Sequence, residues 1–180
     1  MSFKKLIYTL FFATLITTAN ADMYASAGMG YTNNNGSVTH NNVHSKYDSS
    51  PSYSLAVGYE MPFSDLMRAE VEYFHNRTDS KENIGKVTID ALMGNAYVSI
   101  PLPLPLLTPY VGAGLGYARM ENDNLAMYQG IIGIDAEVFV IPMVASLEYR
   151  YATTNRSSSN HKQESKYKSN ILMAKIRYEF

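Results

Sequence analysis

The chain has 180 residues, of which 46% are apolar, 15 are basic, 16 are acidic and none is cysteine. Its length predicts one domain, and the absence of cysteine excludes disulfide scaffolds and thiolate metal sites. The nearly balanced charge, without a long basic run, gives no electrostatic footprint for nucleic acid.

The first 21 residues have the pattern of an export signal. Lys4 and Lys5 precede an apolar run over 6–16 that is too short to span a membrane as a helix. Ala19 and Ala21 then form the small-x-small pattern that a signal peptidase accepts. We therefore expect residues 1–21 to be a signal peptide and residues 22–180 to form the mature domain, with a net charge near −3. An uncleaved helical anchor is the alternative.

The mature chain alternates apolar and polar residues with a period of two, which predicts strands whose two faces lie in different environments. No stretch of it approaches 18 consecutive apolar residues, so helical spans are excluded. The alternating segments are, in chain order, 23–31, 53–61, 67–74, 87–100, 111–117, 128–138, 143–151 and 172–180. They predict an all-β fold: an eight-stranded antiparallel up-and-down transmembrane β-barrel with a lipid-facing exterior and a polar interior.

Each segment has one expected lipid face. The odd-numbered residues form it in six segments, and the even-numbered residues form it in 128–138 and 172–180. Segment 87–100 is less regular, because its odd face carries an asparagine among apolar residues. That face contains Val87, Ile89, Ala91, Met93, Asn95 and Tyr97. We expect a bulge or a local change of register there.

The connections alternate in character, as an up-and-down barrel requires. Those at 62–65, 101–109 and 141–142 are compact and contain proline, whereas those at 32–52, 76–86, 120–126 and 152–169 are longer and polar. Short turns are expected on the periplasmic side and long loops on the extracellular side, which puts both chain termini in the periplasm.

Tyrosines cluster at the predicted strand ends in two aromatic girdles. A tyrosine ring packs among acyl chains while its hydroxyl reaches the headgroups. The expected outer girdle contains Tyr31, Tyr53, Tyr73, Tyr117, Tyr128, Tyr149 and Tyr151, and the inner one contains Tyr59, Tyr97, Tyr178 and Phe180.

Three short motifs carry a resemblance to a known superfamily. They are Pro-Tyr-Val-Gly-Ala-Gly-Leu-Gly-Tyr at 109–117, Asn-Ala-Tyr at 95–97 and the final Tyr-Glu-Phe. With them the mature chain resembles the small outer-membrane barrels and surface antigens that include the OmpA transmembrane region and the opacity adhesins. The resemblance implies an outer-membrane location in a Gram-negative bacterium and a role for Phe180 in the signal read by the barrel-assembly machinery. Because the chain ends at the barrel, we expect no peptidoglycan-binding domain.

Charged residues recur on the predicted inward faces. They are Glu60, Arg68, Glu70, Glu72, Asp135, Glu137, Glu148, Arg150, Lys175, Arg177 and Glu179. Eight strands leave an interior just wide enough for side chains, and buried charges need partners. We expect a network of salt bridges there. A narrow proton or ion path through the carboxylates is the functional alternative.

The resemblance also raises a lipid A-modifying enzyme as a less favoured alternative, since some eight-stranded outer-membrane barrels resemble lipid A acylhydrolases and acyltransferases that use a histidine and a serine. The four histidines here do not predict such an enzyme, a metal site or a cofactor site. His44 adjoins Ser45, but neighbours on an extended chain point to opposite sides. No serine stands two positions from His75, and His40 and His44 lie in a loop rich in polar residues. His161 also lies in a polar loop.

The loops are the predicted binding surface, since a rigid scaffold presents them to solvent. Segment 32–52 has five asparagines and Tyr47, and segment 152–169 contains Arg156, Ser157 to Ser159, His161, Lys162 and Lys166. This composition suits an adhesin or surface antigen that binds a host or environmental protein or glycan. It suits equally a structural barrel that contributes to envelope integrity.

Overall fold

The computed structural model describes residues 23–34, 39–40, 43–44, 49–62, 64, 66–79, 86–103, 106–120, 123–138, 141–155 and 168–180. The expected signal peptide lies outside these residues, as do the loop residues Tyr47, Arg156, His161, Lys162 and Lys166. The described part of the chain includes no helix long and apolar enough to cross a membrane.

Ten strands follow one another in the part of the chain that the structure describes. They are β1 (Met23–Asn34), β2 (Thr39–His40), β3 (Val43–His44), β4 (Ser50–Glu60), β5 (Met67–Asp79), β6 (Lys86–Ser99), β7 (Leu107–Met120), β8 (Asp123–Val138), β9 (Met143–Thr154) and β10 (Lys168–Glu179). Eight of them close an antiparallel barrel in the order β1-β10-β9-β8-β7-β6-β5-β4. The small strands β2 and β3 pair with each other between β1 and β4. The predicted eight-stranded antiparallel barrel is confirmed.

Burial alternates along the barrel strands, because successive side chains of a strand point to opposite faces. In β4 every second residue from Ser50 to Gly58 is buried inside the barrel, and the residues between them are exposed on its outer surface. Large apolar side chains stand on that exterior, such as Leu55 with 62% exposure and Leu147 with 52%. Such a surface is unfavourable in water and suited to lipid.

The two ends of the barrel differ. We define the terminal end as the one where Phe180 N donates to Met23 O at 3.0 Å, and the loop end as the opposite one. Residues 61–66, 100–106 and 139–142 join strands at the terminal end. Residues 35–49, 80–85, 121–122 and 155–167 join them at the loop end.

The predicted long loop at 120–126 is wrong. Strand β7 continues to Met120 and β8 begins at Asp123, which is its cross-strand partner, so two residues connect the strands. Asp123 and Asn124, two of the polar residues that predicted a loop, lie in β8 and pair with β7, because main-chain pairing continues beyond the apolar part of the barrel.

The predicted faces of β6 are also wrong. Ile89 and Met93 are buried in the interior, whereas Leu92 and Val98 are exposed on the exterior. Pairing with β5 runs without interruption along the strand, and so does pairing with β7, so the expected bulge is absent. Both faces of β6 are largely apolar, and the neighbouring strands decide which of them points inward.

Candidate functional site

Arg150 lies at the centre of the barrel interior and is completely buried. Its Nη1 atom donates to Glu72 at 2.8 Å and 2.9 Å, and its Nε atom donates to Glu148 at 2.7 Å. Glu72 is on β5 and the other two residues are on β9, so the contacts cross the interior. One guanidinium group therefore neutralises carboxylates from two separate strands.

Beside this centre, Glu70 collects hydrogen bonds from several strands. Lys175 Nζ lies 3.0 Å from Glu70 Oε1, and the Tyr97 hydroxyl donates to the same oxygen at 2.5 Å. Asn95 Nδ2 donates to it at 3.1 Å, and the Tyr24 hydroxyl donates to Oε2 at 3.3 Å. The carboxylate is thus held by one ammonium group and three polar side chains.

Nearer the terminal end, Asp135 lies between two arginines. Arg68 Nη1 donates to it at 3.0 Å and Arg177 Nη1 at 3.3 Å, while Ser146 Oγ donates at 2.6 Å. The Arg68 guanidinium also lies over the Tyr97 ring at 4.8 Å and the Tyr110 ring at 4.3 Å. These contacts combine ion pairing with cation–π attraction among side chains that are largely buried.

The structure separates the eleven charges expected in the interior into two groups. Eight are buried, with four cations and four carboxylates: Arg68, Glu70, Glu72, Asp135, Glu148, Arg150, Lys175 and Arg177. Glu60, Glu137 and Glu179 are more exposed and line an open cavity of about 370 Å³ at the terminal end, whose floor includes Arg68, Asp135 and Arg177. Arg177 lies 3.0 Å from Glu179 and 3.7 Å from Glu60 at this mouth.

Towards the loop end the interior contains an apolar cluster, which sequence reasoning missed. The cluster contains Phe74, Ile89, Ala91, Met93, Ala118, Met127, Ala152, Ile171 and Met173. Phe74 and Met173 already stood on predicted inward faces, and they were the available signal. Buried polar side chains such as Ser52, Asn76 and Thr154 lie at the same end, so the charged layer is followed by one that mixes apolar and uncharged polar residues.

Tyr97 was expected in the inner girdle, and this expectation is wrong. Its side chain is inside the barrel with 1% exposure. Three inward tyrosines each face a glycine as cross-strand partner: Tyr24 with Gly58, Tyr97 with Gly112 and Tyr110 with Gly133. A Cβ atom on Gly112 would lie 2.5 Å from Tyr97 Cδ1. The glycines make room for the rings, and the glycine-rich segment 112–116 was the signal that β6 carries large inward side chains.

The other girdle residues are exposed on the exterior. Tyr31, Tyr53, Tyr73, Tyr117, Tyr128, Tyr149 and Tyr151 lie towards the loop end, and Tyr59, Tyr178 and Phe180 lie towards the terminal end. Between these two sets, the exterior residues of the described strands are apolar. The barrel wall thus has an apolar belt bordered by aromatic rings.

His75 lies on the exterior near the loop end. Its Nδ1 atom is 2.8 Å from Asp90 Oδ1, and the Tyr73 hydroxyl donates to the same oxygen at 2.6 Å. The described residues contain no group of three or more histidine, aspartate or glutamate side chains placed to hold a metal ion.

Solved outer-membrane barrels have a similar fold. Neisserial surface protein A is 17% identical with a TM-score of 0.69, over 88% of this chain and 97% of that chain. OprG from Pseudomonas aeruginosa is 17% identical with a TM-score of 0.53, over 89% and 96%. The N-terminal barrel of OprF from the same species is 13% identical with a TM-score of 0.50, over 87% and 97%. The chain therefore has the fold of small outer-membrane β-barrels.

Sequence comparison finds relatives that match part of the chain. An uncharacterized protein of Brucella abortus is 28% identical over 131 residues, which cover 54% of this chain and 45% of the relative. A protein of Brucella suis, also uncharacterized, is 26% identical with the same coverage. The chain thus spans about half the length of these curated relatives. No family profile matches the sequence.

Proposed function

We propose that this protein is a bacterial outer-membrane barrel that presents its loop end outside the cell and binds a protein or glycan partner there. The observation that carries the proposal is the division of the barrel's surfaces. The interior is filled with paired charges and apolar side chains, and the wall is an apolar belt suited to lipid. Polar residues for recognition are concentrated in the connections of the loop end.

The attachment points of the two longest connections favour a one-sided binding surface. Residues 35–49 join β1 to β4, and residues 155–167 join β9 to β10. These four strands are contiguous in the barrel order β9-β10-β1-β4. On the opposite wall, β7 and β8 are joined by residues 121–122 alone. The two long loops therefore leave the barrel side by side, where they can contact one partner together.

The membrane part of the proposal is tested by refolding residues 22–180 into detergent. A folded barrel resists unfolding by the detergent in the gel, so unheated and boiled samples should migrate differently in electrophoresis. A single shared mobility, from a chain that is monomeric and soluble without detergent, would contradict the membrane assignment.

The binding part is tested by replacing residues 35–48 and 156–166 with short turns. Thr32 and Ser50 are cross-strand partners, and so are Thr153 and Lys168, so short turns can join the strands without changing their register. We expect the barrel to keep its heat-dependent mobility while adhesion of expressing cells to host cells or matrix is lost. A turn replacing residues 80–85, between the partners Asp79 and Lys86, is the matched control and should leave adhesion intact.

The same strains separate binding from a role in envelope integrity. A structural barrel would keep its resistance to detergent stress after both deletions and would have no adhesion to lose. Adhesion that survives both deletions would contradict binding by these loops. The proposal includes no catalysis, so expression should leave the mass spectrum of lipid A unchanged.

Phe180 supports assembly of the barrel in this proposal. Its exposed ring packs edge to face against Tyr178 at 5.4 Å between centroids, and its backbone nitrogen joins β10 to Met23. We expect deletion of Phe180 to lower the amount inserted in cells more than it lowers refolding in detergent, because the assembly machinery reads the terminal aromatic. Normal insertion of the shortened chain in cells would contradict this role.

A further inference from the structure

A groove of about 350 Å³ crosses the barrel exterior over β9, β10, β1 and β4. Its walls are formed by large side chains, among them Met29, Tyr31, Tyr53 and Leu147. Ala174 lies between its cross-strand partners Met29 and Leu147, and its methyl group is much shorter than either side chain. The depression at Ala174 therefore gives the exterior groove its depth.

From the groove, which ends at Tyr53, a single row of cross-strand partners leads on around the barrel. Met29 pairs with Tyr53, Tyr53 with His75, His75 with Asp90, and Asp90 with Arg119. Along this row, from Met29 to Arg119, the residues lie progressively nearer the loop end, relative to the exterior tyrosines. Met29 is two residues on the terminal side of Tyr31, whereas Arg119 is two residues on the loop side of Tyr117. It thus leads from the apolar belt to the charged margin, because barrel strands are tilted.

We define the rim cluster as His75, Arg77, Asp90 and Arg119. The Asp90 carboxylate is engaged by His75 and by the Tyr73 hydroxyl, while both arginines are exposed. Among the exterior side chains that the structure describes, the charged ones, Arg77, Asp90, Arg119 and Lys168, all lie at the loop end. Among the described side chains of this margin, two arginines stand against one carboxylate, which favours an anion beyond the end of the groove.

We propose that the exterior groove and the rim cluster together bind one phosphorylated lipid of the outer leaflet. An acyl chain fills the groove, and a phosphate group lies between Arg77 and Arg119, since guanidinium groups bind phosphate through paired hydrogen bonds. Three strand spacings separate Tyr53 from Arg119, roughly 14 Å, which a lipid with several acyl chains can span. The inference rests on the proposed function, because it requires the loop end to lie in the outer leaflet.

The test measures lipid affinity from the rise in the unfolding temperature of the refolded protein as lipid A is titrated into mixed micelles. Unmodified protein should be stabilised by lipid A and much less by lipid A from which the phosphate groups have been removed. Inorganic phosphate alone should have no comparable effect. Equal stabilisation by the phosphate-free lipid, or by inorganic phosphate alone, would overturn the proposal, and neither arm depends on a variant that must fold.

Two pairs of variants locate the site. Arg77→Gln with Arg119→Gln should weaken lipid A binding about tenfold or more, as expected for loss of charge-assisted hydrogen bonds. Lys168→Gln, which removes a loop-end cation outside the rim cluster, should bind normally. Ala174→Leu should fill the groove and weaken binding, whereas Ala145→Leu, on the exterior of β9 outside the groove, should not.

The electrophoretic mobility shift of each variant keeps this inference separate from the proposed function. The arginine and Ala174 variants could both show the normal difference in mobility between unheated and boiled samples and still bind lipid A as tightly as the unmodified protein. That result would overturn the lipid site and leave the barrel assignment intact. If unheated and boiled samples of the unmodified protein migrated identically, the barrel assignment itself would be overturned.

Discussion

At the scale of single residues, Tyr97 shows how closely the interior is fitted. Its ring lies against Gly112, its hydroxyl donates to Glu70 and the Arg68 guanidinium covers its face. These contacts hold the ring, so it cannot move away from a methyl group at position 112. Gly112→Ala should therefore lower the free energy of unfolding by about 1 to 3 kcal/mol.

Gly94→Ala is the matched control for this change. A Cβ atom on Gly94 would come no closer than 3.8 Å to any neighbouring atom, and the residue is exposed on the exterior. Urea unfolding in detergent should show little difference from the unmodified protein. Equal destabilisation by both changes would show that a general intolerance of side chains on these strands, rather than contact with the Tyr97 ring, sets the cost.

Arg150 should be the most sensitive charge in the barrel. Arg150→Met leaves Glu72 without its guanidinium partner and Glu148 with Lys175 at 3.6 Å. Leaving a buried charge without its partner costs about 3 to 5 kcal/mol. Adding Glu72→Gln should recover part of this loss, because the amide is neutral. Urea unfolding of the single and double variants measures the recovery, and its absence would contradict charge pairing as the role of Arg150.

Sequence reasoning could assign these charges to the interior but could not choose their partners. Glu72 on β5 and Arg150 on β9 are 78 residues apart, and these two strands are not neighbours in the barrel. Their contact depends on the register of the intervening strands and on the lengths of the two side chains. The alternation of apolar and polar residues predicts neither the register of the intervening strands nor how far the two side chains reach across the interior.

At the scale of strands, β9 offers a test of membrane depth. Leu147 and Tyr151 share its exterior face, with Leu147 in the apolar belt and Tyr151 towards the loop end. An arginine near the bilayer midplane costs about 2 to 4 kcal/mol, and one near the interface about 0 to 1 kcal/mol. We expect Leu147→Arg to destabilise the refolded barrel in lipid far more than Tyr151→Arg.

Refolding free energies in lipid vesicles measure this difference. An arginine substitution at Ser146, the inward-facing neighbour of Leu147, would be a poor control, because Ser146 is 8% exposed and donates to Asp135 at 2.6 Å. An arginine there would enter a filled interior. Equal costs for Leu147→Arg and Tyr151→Arg would mean that the exterior of β9 does not cross a hydrocarbon layer.

Sequence reasoning assigned the faces correctly in the strands with charge on one face, and also in β1 and β7, where the inward residues of the predicted segments are glycine, serine or tyrosine. In β5, Arg68, Glu70 and Glu72 mark the interior unambiguously. In β6 the inward residues Ile89, Met93 and Tyr97 are as apolar as the outward ones, so the alternation identifies a strand without identifying its faces. The apolar cluster inside the barrel removes the difference in polarity between the two faces of β6, on which the prediction of faces depends.

At the scale of the whole molecule, the interior should not conduct ions. Arg150, Glu72 and Glu148 are at most 1% exposed and block the middle of the barrel, and the apolar cluster and buried polar side chains such as Asn76 lie between them and the loop end. Planar-bilayer recordings should therefore show no steady current. A sustained ohmic conductance would contradict the filled interior and would restore the narrow pore as the functional alternative.

The pairing of β1 with β10 has a consequence for how the barrel forms. Each of the other barrel pairings joins strands that are consecutive around the up-and-down path, whereas this seam joins Tyr24 to Glu179. Loop closure over so long a segment is entropically expensive, so the hairpins should form early and the seam should be completed last. Until then the growing sheet has two free edges at β1 and β10, each able to pair with a foreign strand. Protection of these edges during synthesis and export is thus a requirement of the topology itself.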